Sequence, residues 1–362
     1  MIAHKDHFHG SDLEKIESIY GIKKEEIISF SANVNPLGIS PKLKNTIASH
    51  VDAITFYPDR EYIALRESIA AYCDTNSDHI IVGNGTTELI SLFVQIVKPQ
   101  KALILGPTYS EYEREITLEG GRASYYPLHS ADQFALDIED FTDRLKNSID
   151  LLVLCNPNNP TSTCITKKDM RKILDVCKEH DIYVMVDETY IEFVSDYDQV
   201  SSVSLTAYYN NIIVLRGTSK FFAAPGLRLG YAVTGNKDLI SHINQYKNPW
   251  MIISLAEIAG RIMFSDEAYI KKTKNLIAKE RDYVYKTINA DDRFVAFYPH
   301  ANFMLIKTED ETINSSTLFD RCIRQKMMIR NCSTFPFLDD KFIRICFMKH
   351  EDNKRLLQLL LQ

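Results

Sequence analysis

A chain of 362 residues is long enough for two domains with full apolar cores, which excludes a peptide ligand or a stapled mini-scaffold. Hydrophobic residues at 45% and charged residues at 25% exclude a disordered, collagenous or membrane-embedded chain. Lys and Arg number 42 against 48 Asp and Glu, a formal charge of −6; with no basic excess to attract nucleic acid or an anionic membrane, small molecules are the expected partners.

The N-terminus, MIAHKDHFHG, is polar and has no apolar stretch long enough for a signal peptide or a membrane span. The seven cysteines are scattered without a C-x-x-C, and several sit in apolar runs such as LLVLC, as reduced, buried thiols do. A cytoplasmic protein is expected. His4, His7 and His9 have the spacing H-x-x-H-x-H, but no cysteine or carboxylate set completes a ligand sphere, so no metal is expected. Residues 1–45 show no long periodic segment and are expected to pack on a second, smaller domain.

Residues 46–247 read as a large domain. Within them short β-branched runs (HIIVG, KALIL, ASYYPL, DLLVLC, IYVMVD, NIIVL, LGYAVTG) alternate with stretches of helical period such as TELISLFVQIV and KKDMRKILDVCKEH, the latter with Thr166 in the N-cap position. This alternation predicts an α/β fold whose mainly parallel sheet carries helices on both faces, with the ligand crevice beyond the carboxyl ends of the strands. Residues 248–362 change character: long helical patterns lead into RFVAFYP, NFMLIK, MMIRNC and KFIRICF, and the chain closes on a helix, as in a small α+β domain.

Three predicted strand ends carry chemistry. Gly83-Asn84-Gly85-Thr86-Thr87-Glu88 joins a strand to a helix, where open N–H groups and the helix dipole suit a phosphate; the third glycine of a dinucleotide fingerprint is absent, and the segment alone is equally a tight turn. Asn156-Pro157-Asn158-Asn159-Pro160-Thr161 is a loop stiffened by two prolines, and Asp187 ends the next strand with Glu188 and Tyr190 following. A carboxylate there is costly unless a cation or several donors meet it. The third segment runs from Arg216 to Arg228 and holds Lys220 before Phe221, Phe222 and Ala223. Apolar neighbours lower a lysine's pKa and suit it to Schiff-base chemistry.

In combination N-P-N-N-P-T, V-D-E-T-Y and T-S-K-x7-R-L-G-Y resemble the pyridoxal-phosphate enzymes of the class I/II aminotransferase family, over nearly the whole chain. The resemblance implies the aspartate-aminotransferase-like fold type I, pyridoxal 5′-phosphate as cofactor and a homodimer. It implies that Lys220 holds the cofactor, that Asp187 pairs with the protonated pyridine nitrogen, that Asn159 and Tyr190 bond the ring's phenolate oxygen and that Tyr109 stacks on its face. Gly85, Thr86, Ser219 and Arg228 would hold the cofactor phosphate, and Tyr57 would reach the phosphate of the neighbouring subunit. Arg344 matches the arginine that grips a substrate α-carboxylate.

Two enzyme branches of the family compete; a catalytically silent member is the third alternative, against which intact Lys220, Asp187 and Arg344 speak. F-H-G-S, F-S-A-N-V-N-P-L-G, G-N-G-T-T-E-L and I-R-N-C-S-T-F-P-F-L resemble the threonine-phosphate decarboxylases of cobalamin side-chain synthesis, in which His9 and Arg330 would meet the substrate phosphate and Asn33 would line the substrate site. The histidinol-phosphate aminotransferases share the cofactor motifs but typically lack the N-terminal H-G segment and the R-x-C-x-x-F stretch. Four positions depart from the family pattern. Gly217 replaces a Ser or Thr, with Thr218 expected to supply the missing hydroxyl; Ser162 replaces the Gly of N-P-T-G; Ser11 and Asn331 replace a Gly and an Asp.

Overall fold

The computed structural model describes residues 12–362. His4, His7, His9 and Ser11 lie outside them. The first helices are α1 (Leu13–Tyr20), α2 (Pro41–Ser49), α3 (Ile63–Cys73), α4 (Gly85–Val97), α5 (Glu111–Leu118), α6 (Ile138–Leu145) and α7 (Lys167–Glu179). The strands are β1 (Ile28–Ser29), β2 (Ile80–Asn84), β3 (Lys101–Gly106), β4 (Arg122–Pro127), β5 (Leu151–Cys155), β6 (Tyr183–Asp187), β7 (Ile212–Gly217), β8 (Leu229–Val233), β9 (Phe294–Ala296), β10 (Phe303–Thr308), β11 (Met327–Met328), β12 (Arg330–Asn331) and β13 (Phe342–Cys346).

Seven strands form one sheet in the order β2-β8-β7-β6-β5-β3-β4, parallel except for β8, which runs antiparallel to both neighbours. Strands covered on both faces need apolar side chains in both directions. Leu152, Leu154, Val184 and Val186 accordingly face one buried cluster, while Val153, Met185, Ile213 and Leu215 face another. Helix α7 shows how the sequence builds this covering. Met170, Ile173, Leu174 and Cys177 make its buried stripe, and the Thr166 hydroxyl accepts the Asp169 N–H at 3.1 Å, the cap that the sequence predicts.

A second sheet, β12-β13-β10-β9, is antiparallel throughout. The run MMIRNC, read as one strand, is two. Met327 and Met328 pair in parallel with Ile28 and Ser29, whereas Arg330 and Asn331 pair with β13. The chain thus changes sheets at Ile329, and β1 brings the N-terminal segment alongside the C-terminal strands. That segment also holds α1, closed by Gly21 at φ 66°, and the start of α2, although no long periodic pattern marks either. Among the described residues no helix is long and apolar enough to cross a membrane, and no group of three or more metal-ligating side chains occurs. All seven cysteines are free thiols.

Candidate active site

The carboxyl ends of β5, β6 and β7 and the start of α4 bring the three sequence segments together. Lys220 follows β7 by three residues. Its Nζ donates to the Ala32 carbonyl at 2.7 Å, and the Asn35 N–H donates to the Lys220 carbonyl at 3.0 Å, so the N-terminal segment lies across the lysine. Burial holds the amine down to about 8, and the charges of Arg344 and Arg228 push the same way.

Asp187 is buried at the end of β6. One carboxylate oxygen accepts the Thr189 N–H at 2.9 Å and the Thr189 hydroxyl at 2.6 Å; the other accepts the Tyr112 hydroxyl at 2.7 Å. Burial raises its pKa even against these donors and the charge of Lys220, so a cation arriving beside it would be stabilised. Neither Tyr112 nor Thr189 has a sequence signal of its own; Thr189 lies within V-D-E-T-Y, and Tyr112 follows Tyr109 by three residues. Beneath this layer Glu188 and Arg216 form a fully buried ion pair at 2.7 Å, with Arg216 also donating to Tyr197 and Ser201. That pair anchors the ends of β6 and β7.

At the start of α4, Gly85 has a φ of 78° and its α-carbon faces the Arg228 guanidinium so closely that a Cβ would collide with it. Gly230 serves the same approach from β8: a Cβ there would stand 2.5 Å from the Gly85 carbonyl carbon. Asn84 provides no side-chain cap for the first N–H groups of α4, at the end of the helix where Gly85 meets Arg228. Ser219 is half-buried beside them. Thr218, expected to supply the hydroxyl missing at Gly217, is bonded within the protein. Its O–H is donated to the Leu229 carbonyl at 3.1 Å in a fully buried position, so the hydroxyl serves the β7–β8 junction here. Gly217 has a packing reason, since a Cβ would meet Thr86 Cγ2 at 3.2 Å.

Tyr109 stands edge-on to Tyr112 with ring centres 5.5 Å apart, and burial pushes its hydroxyl up to about 12. The Tyr190 hydroxyl accepts from Asn33 Nδ2 at 3.3 Å, while Asn33 Oδ1 is buried without a partner. Arg344 donates to the Asn159 side chain and, at 2.6 Å, to the Ser31 carbonyl; its Nε is buried and unpartnered. Arg330 lies opposite Arg344 in the β12–β13 register. Its guanidinium caps the Phe335 ring at 5.3 Å and reaches Thr334 at 3.1 Å, and burial lowers its pKa to about 10, with Arg344 adding to the effect. Asn331 is spent on structure, bonded to Ser315, Ser316 and Ser333. Tyr57 is the one described candidate away from this cluster, 80% exposed and packed on Trp250.

The sequence profile of the family described as aminotransferase class I and II matches residues 25–360. The chain belongs to that family. Threonine-phosphate decarboxylase of Salmonella typhimurium is 30% identical over 352 residues, 97% of this chain and 95% of that protein. Histidinol-phosphate aminotransferase of Methanothermobacter thermautotrophicus is 30% identical over 354 residues, 97% and 92% of the two chains. The crystal structure of histidinol-phosphate aminotransferase from Clostridium acetobutylicum superposes with a TM-score of 0.85 at 33% identity, covering 91% of this chain and 97% of that one.

The family's cofactor is pyridoxal 5′-phosphate, and the residues present fit it. A partly neutral lysine, a buried carboxylate awaiting a cation, an aromatic ring, and a glycine cradle facing an arginine and uncapped N–H groups are the donor set that an aldehyde, a pyridine nitrogen, a flat ring and a phosphate require. The chain is a pyridoxal-phosphate enzyme.

Proposed function

We propose that this enzyme decarboxylates a small phosphorylated amino acid, as the threonine-phosphate decarboxylases do, in cobalamin side-chain synthesis. The observation that carries the reading is the pair Arg330 and Arg344, directly opposite on adjacent strands. Like charges in that relation repel, and two anions on one small substrate would relieve them. Arg344 takes the α-carboxylate, Arg330 takes the phosphate, Asn33 lines the space between, and the resulting product is a phosphorylated amino alcohol.

Lys220 would hold the cofactor through its amine and, when that amine is free, would carry a proton at the substrate α-carbon. Bound pyridoxal phosphate supplies an electron sink for the pair released at that carbon. Asp187, held in place by Thr189 and Tyr112, would keep the pyridine nitrogen protonated. Asn159 and Tyr190 would bond the phenolate oxygen, Tyr109 would cover the ring, and Gly85, Thr86, Ser219 and Arg228 would hold the phosphate. The two guanidiniums would choose the reaction by fixing how the substrate's α-carbon is presented for bond cleavage.

The enzyme is a homodimer in which Tyr57 reaches the partner's cofactor phosphate. Val51, Ile54, Phe56, Ile63 and Ile253 are each more than half exposed around it, an apolar surface that a second copy would cover. A transaminase of the histidinol-phosphate type is the second reading, favoured by the Clostridium acetobutylicum structure. Arg330→Ala tests the substrate class. KM for O-phosphothreonine is expected to rise by about tenfold or more, while an unphosphorylated amino acid is bound as before. Equal losses on both would remove Arg330 from the phosphate role.

A further inference from the structure

We propose that the Ser162 hydroxyl is a positioning group that fixes Arg344 and Asn159 relative to each other, and so sets substrate affinity without touching substrate. Ser162 is fully buried and has a φ of 62°, a left-handed conformation that suits the glycine usual in N-P-T-G and strains a serine. The side chain compensates. Its Oγ accepts the His300 N–H at 3.1 Å and the Ala301 N–H at 2.8 Å. His300 has a second acceptor in the Ser162 carbonyl at 3.0 Å, whereas among the described residues the hydroxyl is the one acceptor found for Ala301.

These bonds close a ring of contacts. On one side Ser162 donates its N–H to the Asn158 carbonyl at 2.7 Å, which fixes the loop carrying Asn159, and Asn159 accepts from Arg344. On the other, Ala301 leads within two residues to Phe303, whose ring lies 5.3 Å from the Arg344 guanidinium carbon and meets the Tyr190 ring edge-on at 4.8 Å. Asn302, between them, donates to the Asn33 carbonyl at 2.8 Å and accepts from the Phe347 N–H at 2.9 Å. Arg344 is therefore gripped by the proline-rich loop through its head and by the ring of Phe303 along its face. The Ser162 hydroxyl joins the two grips. A glycine would keep the loop's path but lose the acceptor, leaving the Ala301 N–H buried and unpaired.

The kinetic consequence rests on the reading of Arg344 as the α-carboxylate ligand, so the test has one arm that does not. Ser162→Gly, which relieves the backbone, and Ser162→Ala, which keeps the strain, are compared with the wild-type holoenzyme. The rate at which phenylglyoxal labels Arg344, mapped by mass spectrometry, is expected to rise at least fivefold in both variants, with labelling of Arg330 within twofold of wild type. Unchanged labelling of Arg344 overturns the proposal whatever the substrate. In the second arm, KM for O-phosphothreonine is expected to rise about fivefold with kcat within twofold, and Ser162→Gly to add nothing in an Arg344→Lys background. A rise of the same size in that background would show a general structural role and likewise overturn it. A wild-type enzyme inert toward O-phosphothreonine would sink the decarboxylase reading and leave the labelling arm to decide this one.

Discussion

Lys220 has to be uncharged to attack a carbonyl, and its surroundings favour that form. An amine with a pKa near 8 gains its neutral fraction as pH rises through 8, more than two units below the ordinary lysine value. The rate at which apoenzyme captures pyridoxal phosphate, followed by absorbance, should therefore climb with a midpoint near pH 8; a midpoint above 10 would mean that the amine is solvated. Asp187 does the converse, since a buried carboxylate with raised pKa is stabilised by a cationic ring nitrogen. Asp187→Asn keeps the shape and loses the charge, and turnover should fall on the order of a hundredfold or more with the cofactor still bound. Full activity in that variant would refute the assignment. Asp187 is legible because it ends an apolar strand and Lys220 because it stands against Phe221, Phe222 and Ala223; their roles come from the resemblance. Partners across the fold are not legible: Ala32 lies 188 residues from Lys220, and Ser31 lies 313 from Arg344, and such contacts leave no local pattern.

The turn from β2 into α4 depends on two glycines meeting across strands. Gly230→Ala pushes a methyl into the Gly85 backbone, which should cost about 1–3 kcal/mol of stability in thermal unfolding and weaken pyridoxal phosphate binding markedly. Thr166→Ala, at the cap of α7 away from the site, should cost about 1 kcal/mol and leave KM alone. The contrast separates an element that shapes the site from one that only supports it. Long amphipathic helices and fully buried strands were readable because period and burial coincide along many residues, as in α7 and β5. Helix α1, at eight residues, is too short for period alone to announce it, and the break at Ile329 answers to which strand lies alongside, which no run of apolar residues encodes.

In the whole molecule the two sheets are joined through the N-terminal segment, which pairs with β11 and lies across Lys220, so both chain ends bear on the site. The modest acidity of the chain is compatible with anionic ligands because a few placed arginines and one helix N-terminus would meet them. Dimerisation is the expectation that most concerns the surface. Phe56→Asp, at a residue 76% exposed, should shift sedimentation toward monomer and lower cofactor affinity through the loss of Tyr57 from the neighbouring site, whereas a wild type that sediments as monomer would contradict the shared site. The most direct measurement of the central claim is the product formed by holoenzyme from O-phosphothreonine, set beside histidinol phosphate with 2-oxoglutarate. Carbon dioxide and a phosphorylated amino alcohol from the first, with no glutamate from the second, is the predicted result; glutamate formation without carbon dioxide would contradict it.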